Sequence, residues 1–140
     1  MNLSEDEARA RFTAARVARL ATADARGIPH LVPIVFAVAG SALYSAVDGK
    51  PKRSLALRRL ANVAANPRVA VLADHYDEDW THLWWVRLDG NGRVLDPAHS
   101  EATRARELLA ARYPQYRTTP PPGPVLAVDI TCWTGWAAAG

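Results

Sequence analysis

Apolar and polar residues alternate along this chain in two rhythms, one of helices and one of strands. Ser4-Glu5-Asp6-Glu7 is a capping-box pattern, and Ala8, Phe12 and Ala15 follow at helical spacing, which predicts a first helix over about 4–15. Residues 17–23 alternate as a strand, with Val17, Arg19 and Ala21 on one side and Ala18, Leu20 and Thr22 on the other. Asp24-Ala-Arg-Gly27 is a turn. The run 30–38 is apolar on both sides, so it reads as a strand buried on both faces. Pro33 inside it lacks a ladder donor and demands a bulge or an edge.

Ala39-Gly40-Ser41 closes a hairpin into a strand over 42–47. Leu57, Leu60, Ala61 and Ala64 predict a helix at about 53–65, ended by Asn66-Pro67. Strands follow at 69–74 and 82–89, and Gly90-Asn91-Gly92 reads as a tight turn into a short strand at 93–95. Ser100 is the expected cap of a helix reaching about 112. The proline-rich 120–124 is a stiff connector, and 125–136 is the last strand, with Leu126, Val128, Ile130 and Cys132 on one face. Mostly short connections between strands predict an antiparallel barrel with helices filling gaps, not a doubly wound parallel sheet.

Composition narrows the picture. A chain of 140 residues suits one domain over 1–140, able to bury roughly two-thirds of its unfolded surface without disulfides. Cys132 is the single cysteine and is expected as a small buried hydrophobe. No apolar run approaches the ~18 residues of a membrane span. The start, Met-Asn-Leu-Ser-Glu-Asp-Glu, has no apolar leader behind it, so the expectation is a cytoplasmic protein.

Charge says more by distribution than by sum. Seventeen cations against 14 anions leave +3. Five of the cations, Lys50, Lys52, Arg53, Arg58 and Arg59, gather where the strand 42–47 gives way to a helix. Cations and free N–H groups at such a junction suit a phosphate, and a compact nest of this kind fits a small phosphorylated cofactor better than nucleic acid. Ser45, near the strand end, either bonds a phosphate oxygen or caps the turn. The histidines 30, 75, 82 and 99 lack metal spacing. His75 and His82 with Asp77 and Asp79 read as a solvated acidic loop. No nucleophile elbow, P-loop or dinucleotide fingerprint occurs, and no side chain is assigned a catalytic role. Among the five tryptophans, Trp84 and Trp85 point to opposite faces, one to the core and one to a partner. Trp80 lies in a loop, placed to cover a ring.

Taken in order, Ala18-Arg-Leu-Ala-Thr22, Gly27-Ile-Pro-His-Leu-Val-Pro-Ile-Val-Phe36, Leu43-Tyr44 with the basic segment 50–59, Leu60-Ala-Asn-Val-Ala-Ala-Asn-Pro-Arg-Val69, Trp84-Trp85-Val86-Arg87 and Trp133-Thr-Gly-Trp136 form a pattern spanning nearly the whole chain. It resembles the split β-barrel flavin and deazaflavin family that includes pyridoxamine 5′-phosphate oxidase, and within it the small actinobacterial branch that uses coenzyme F420. The resemblance implies a mainly β (α+β) fold, an antiparallel split β-barrel with peripheral helices. It implies a homodimer with cofactors in grooves between subunits, a ring lying along Pro33, Ile34 and Val35, and a phosphate held by Lys50, Lys52 and Arg58. The stretch from Lys52 to Asn66 is longer than in the relatives, so the choice among Arg53, Arg58 and Arg59 stays open. Substrate-binding residues of a pyridoxamine phosphate oxidase are missing, and that activity is not implied.

The expected function is hydride transfer from reduced F420 to a small electron-poor substrate, with Ser45 and Arg53 completing the cofactor site and Tyr76 or water as proton source. The alternatives are an FMN-dependent enzyme or a non-catalytic flavin- or haem-binding barrel. A polyanionic cofactor favours F420 modestly over FMN. Nucleic-acid binding through 50–68 is the weakest reading.

Overall fold

The computed structural model describes residues 1–47 and 53–139, and of residues 53–57 the helical backbone alone. Its elements are α1 (Glu5–Ala14), β1 (Ala18–Ala23), β2 (Pro29–Ile34), β3 (Ala37–Ala39), β4 (Ala42–Ala46), α2 (Arg53–Ala65), β5 (Arg68–His75), β6 (Trp84–Leu95), α3 (Ser100–Arg112), α4 (Pro114–Thr118) and β7 (Val125–Ala137). The seven strands form one sheet in the order β2-β1-β5-β6-β7-β4-β3, with antiparallel neighbours throughout.

That order dictates the shape. β2 and β3 are the two edges of the sheet, yet only Val35 and Phe36 separate them in sequence. Three Cα–Cα steps of ~3.8 Å hold the edges within about 11 Å of each other, so the sheet must curl almost closed. The seam is pinned by polar contacts. Ser45 Oγ donates to the Val35 carbonyl at 2.9 Å. The Tyr113 hydroxyl accepts from the Phe36 N–H at 3.2 Å, and Arg112 donates to the Phe36 and Ala15 carbonyls. The result is the split, mainly β barrel with peripheral helices that the resemblance implied.

Local chemistry explains the elements. Ser4 and Glu7 form the capping box of α1, which sets Ala8 and Phe12 into the core. There Phe12 meets Phe36 at 4.9 Å and Trp133 at 5.5 Å between ring centroids. α2 packs on β1 and β6 and brings Leu60 and Val63 to the same inner cluster. α3 lies on the outside, over β3, β4 and β7. Its N-cap is His99, whose Nδ1 accepts from the Glu101 N–H, not Ser100.

Four further points need correction. The run 30–38 is not one strand buried on both faces: it breaks at the seam into β2 and β3, and Leu31 on the outer face of β2 is 67% exposed. As Pro33 requires, β2 is an edge strand. Second, Gly90-Asn91-Gly92 is no turn, because β6 runs through it without a break. These glycines serve close approach. A Cβ on Gly90 would lie 2.4 Å from the Asp129 carbonyl oxygen, and one on Gly92 would lie 2.7 Å from Val63 Cγ1. Third, α4 was not expected. Fourth, Cys132 is exposed. Asp89 faces Cys132 but Gly90 faces Ile130, so Thr131 is an extra residue in a bulge, and a bulge reverses which side chains point inward. Leu126, Val128 and Ile130 face the inner cluster before it, Trp133 after it.

Candidate functional site

Two features meet on β2, one on each face. Inward-facing His30 stands opposite Thr22 of β1. The Thr22 hydroxyl accepts from Asn62 Nδ2 of α2 at 3.0 Å, which docks the helix beside the strand pair. A pocket of about 200 Å³ opens there, lined by Asp24, Arg26, Ile28, His30, Arg58 and Asn62 among others. Asp24 is held by its turn: Oδ1 accepts from the N–H groups of Arg26 and Ile28, and these bonds, Ile28 first, lower its pKa.

The pocket is electrostatically unfinished. Among the described residues, His30 Nδ1 is buried with no hydrogen-bond partner, as is Nε of neighbouring Arg59. Arg58 makes no hydrogen bond or ion pair among the described residues. Burial, and then repulsion from Arg58 and Arg59, push the His30 pKa below its ordinary value, and burial also lowers that of Arg59. Buried polar atoms are nearly always paired, and cations are rarely left facing one another. The described lining sets two guanidinium groups, Arg26 and Arg58, against the carboxylate of Asp24, a balance that suits an oxyanion such as a phosphate.

Leu31 points the other way, into a groove of about 700 Å³ on the outside of the barrel, within the range of small-molecule sites. Small Ala21 and Ala70 form its floor; Leu72, Tyr76 and Trp85 give apolar walls; Arg19, Asp74 and Arg87 supply charge. The cross-strand registers Leu31–Ala21–Ala70 and Arg19–Leu72–Arg87 align these residues in rows. Arg19 reaches Asp74 at 3.9 Å. Tyr76 meets Trp80 edge-on at 6.5 Å, and both are largely exposed. Trp84 packs against the core while Trp85 lines the groove, the opposite facing that adjacency predicts.

The expected site residues divide. Pro33 is exposed on the outer face of β2, and Ile34 is buried. Val35 is half-buried at the seam, and Ser45 is buried with its hydroxyl on the Val35 carbonyl. Arg58 lines the pocket beside His30. Lys50 and Lys52 lie outside the described residues, as does the side chain of Arg53. Sequence reasoning missed His30, Arg26 and Asn62. Only tertiary proximity unites them, although His30 at the head of an edge strand, facing a cation-rich helix, was a signal.

At the groove rim, His75 Nε2 and His82 Nδ1 both contact Asp77 Oδ2, at 3.0 and 3.1 Å. The hydrogen bond to Asp77 raises the His82 pKa. No group of three ligands able to hold a metal occurs among the described residues, and no helix among them is long and apolar enough to cross a membrane.

A seven-stranded antiparallel sheet whose edges nearly meet, with helices around it, is of the split β-barrel class. The chain belongs to the pyridoxamine 5′-phosphate oxidase family, whose model it matches over residues 4–137. It is similar in fold to an FAD-binding protein from Mesorhizobium loti, at 24% identity over 96% of this chain and 95% of that chain, with a TM-score of 0.76. It is similar also to the FAD binding protein of Mycobacterium smegmatis, at 21% identity over 97% and 98%, TM-score 0.68. The haem storage protein of Vibrio cholerae shares the fold at 14% identity over 95% and 93%, TM-score 0.72. No curated protein matches the sequence.

Proposed function

We propose that the protein is an oxidoreductase that binds a phosphorylated flavin-type cofactor, the deazaflavin F420 in preference to FMN, between the subunits of a homodimer. The observation that carries this reading is the pairing of an orphaned cationic pocket with a bare apolar groove on the two faces of β2. A cofactor with an anionic arm and a flat ring needs both. Arg58 and His30 would take the phosphate, with Lys50, Lys52 and Arg53 nearby in sequence to take further negative charge. That surplus of cations is the reason to prefer F420.

When bound, F420 supplies a hydride donor, so the chain's own groups need only bind, orient and exclude water. Pro33, Ile34 and Val35 would orient the ring through a backbone already stiffened at the seam. Leu31, Leu72 and Trp85 of two subunits, packed face to face, would close the groove to solvent. Tyr76 at the rim, or water, would provide a proton. Because the cofactor carries the difficult step, the lack of an assigned nucleophile or general base is consistent with this role.

A second reading, a binding protein without turnover, is favoured by the same lack of catalytic side chains and by the fold shared with a haem storage protein. One experiment separates them. The apoprotein is titrated with F420, FMN and haem, following tryptophan fluorescence and the haem absorbance band, and then supplied with reduced cofactor and electron-poor acceptors. Micromolar or tighter F420 binding is expected. Arg58→Ala should weaken it roughly tenfold to a hundredfold, the loss of a charge-assisted contact of about 1.5–3 kcal/mol. Saturable FMN binding alone would place the protein with flavin users. Haem binding without cofactor oxidation would make it a carrier.

A further inference from the structure

We propose that the outer groove selects a flat aromatic substrate carrying a carboxylate, with Arg19 and Arg87 as the groups that read its charge. This rests on the reading of the groove as the place where ring and substrate meet. Residues two apart on a strand share a face at ~6.8 Å, and neighbouring strands lie ~4.8 Å apart. In the row Leu31–Ala21–Ala70, two alanines leave a slot that larger side chains would fill. Leu31, Leu72 and Trp85 wall it, so floor and sides suit an aromatic ring. The next row along the sheet is Arg19–Leu72–Arg87. It sets one guanidinium on each side of Leu72, on strands roughly 10 Å apart. A carboxylate on a ring above the alanines points along the strands toward that row.

Both arginines are within a ligand's reach and have donors to spare. Their side chains are 49% and 46% exposed. Among the described residues, the Arg19 side chain makes no hydrogen bond, only an ion pair with Asp74 at 3.9 Å. Arg87 gives Nε alone to Asp89, at 3.4 Å. Arg93, on the helix-covered side of the barrel, is a committed arginine by contrast, with bonds of 2.8 to 3.0 Å to Glu101 and Asp129. A charge-assisted bond is ordinarily ~2.7–2.9 Å long, and looser exposed pairs contribute little. A ligand carboxylate accepting two parallel N–H bonds from a guanidinium fork therefore outcompetes them. The groove lining holds these two cations against one carboxylate, Asp74, with Asp89 outside it. The surplus of positive charge selects an anion. At the rim, Tyr76 and Trp80 stand 65% and 69% exposed, although Asp79 fixes the turn that carries Trp80. Large rings held in water beside an apolar slot suit a flat aromatic guest.

The probes are para-nitrobenzoate and its neutral isostere para-nitrobenzamide. Each is titrated into the intact, cofactor-free protein and followed by quenching of tryptophan fluorescence, which Trp85 in the groove reports. The expected result is a preference for the carboxylate of roughly tenfold to a hundredfold, the size of a charge-assisted contact, shrinking as salt is added. The double change Arg19→Gln and Arg87→Gln should erase that preference and leave the amide's affinity as it was. Both side chains are about half exposed, so the variant should keep its fold, which circular dichroism checks. Equal affinity for the two probes, a preference that survives the double change, or no binding of either would overturn the proposal. F420 binding in the titration above would stand beside any of those failures. A carboxylate preference in a protein that binds no F420 would sink the cofactor reading and leave the groove a site for aromatic acids.

Discussion

The outside of this barrel has a dressed half and a bare half. Over β3, β4 and β7 the outward residues are roofed by α3 and α4. Tyr44, Leu95, Val125 and Ala127 pack under Ala102 and Ala105, and Leu109 and Tyr113 cover Ala37 and Ala46. A polar clasp ties the roof down. Arg93 grips Glu101 through two bonds of 3.0 and 2.9 Å and Asp129 through two of 2.8 and 3.0 Å, and the Tyr44 hydroxyl donates to Glu101. Over β2, β1, β5 and the first half of β6, no helix among the described residues covers the outer face, and Leu31, Leu72 and Trp85 border an open groove. Both halves carry apolar outward residues, but only one covers them from within the chain. Uncovered apolar surface of this kind marks a binding or association site. The bulge at Asp89 and Gly90 lies between the two regimes.

The contrast is broken most directly by truncating the dressed half. Leu109 is fully buried, and Leu109→Ala should cost about 2–5 kcal/mol of stability, read as a lower midpoint in denaturant. Leu31→Asp on the bare half should leave that midpoint almost unchanged and convert the proposed dimer to monomers in sedimentation. A stability loss at Leu31 as large as at Leu109 would mean that the bare face is core rather than contact surface.

Next in size is the boundary. Gly90→Ala would drive a methyl onto the Asp129 carbonyl, and overpacking against backbone typically costs about 1–3 kcal/mol. Were residues 90–92 a hairpin turn, the same change would leave β6 and β7 paired up to residue 89 and alter only the loop. Amide exchange along β7 distinguishes the two, since the continuous strand predicts losses of protection on both sides of Ile130.

The smallest effect is pH-dependent. Bonds from Arg93 and then Tyr44 hold the Glu101 carboxyl at about 2, below its ordinary 4.5. A carboxyl depressed in the folded state adds stability above its unfolded pKa and loses it as pH falls through the folded value. The clasp should therefore be fully effective above about pH 5 and fade between about pH 4.5 and 2. The Arg93 and Asp129 side chains are 41% and 52% exposed, so screening limits the clasp's contribution to about 1 kcal/mol. Glu101→Gln should lower stability by that amount at pH 7 and converge with the wild type near pH 2 in acid titrations followed by circular dichroism.

Much of the fold was legible because it is locally encoded. The capping box at Ser4 and Glu7 needs four residues, and the helix over 53–65 needs only its apolar spacing and the Asn66-Pro67 stop. Pro33 announced a bulge or an edge, since it cannot donate, and β2 proved to be an edge. Errors arose where a local signal had two physical causes. Glycine at 90 and 92 serves a turn or a close approach, and only the positions of Asp129 and Val63 choose between them. The parity of Cys132 depends on an unpaired residue, Thr131, that no alternation pattern reveals. At the site, the cations of α2 were visible as a cluster, and Arg58 proved to line a pocket. His30 was not visible as their neighbour, because it stands 28 residues from Arg58 in sequence and tertiary packing, through Leu60, Val63 and the Thr22–Asn62 bond, brings the helix beside it.

The sequence by itself determined the inventory: seven strands' worth of β pattern, the three longer helices at their places, a family pattern along nearly the whole chain, and a concentration of cations after β4. These rest on short-range periodicity and on residue chemistry, which a linear chain displays. Tertiary structure decided where the sheet splits, which apolar face stays bare and which polar atoms go unsatisfied. Each of those depends on who stands opposite whom across the barrel, and on the desolvation and repulsion that such neighbours impose on His30.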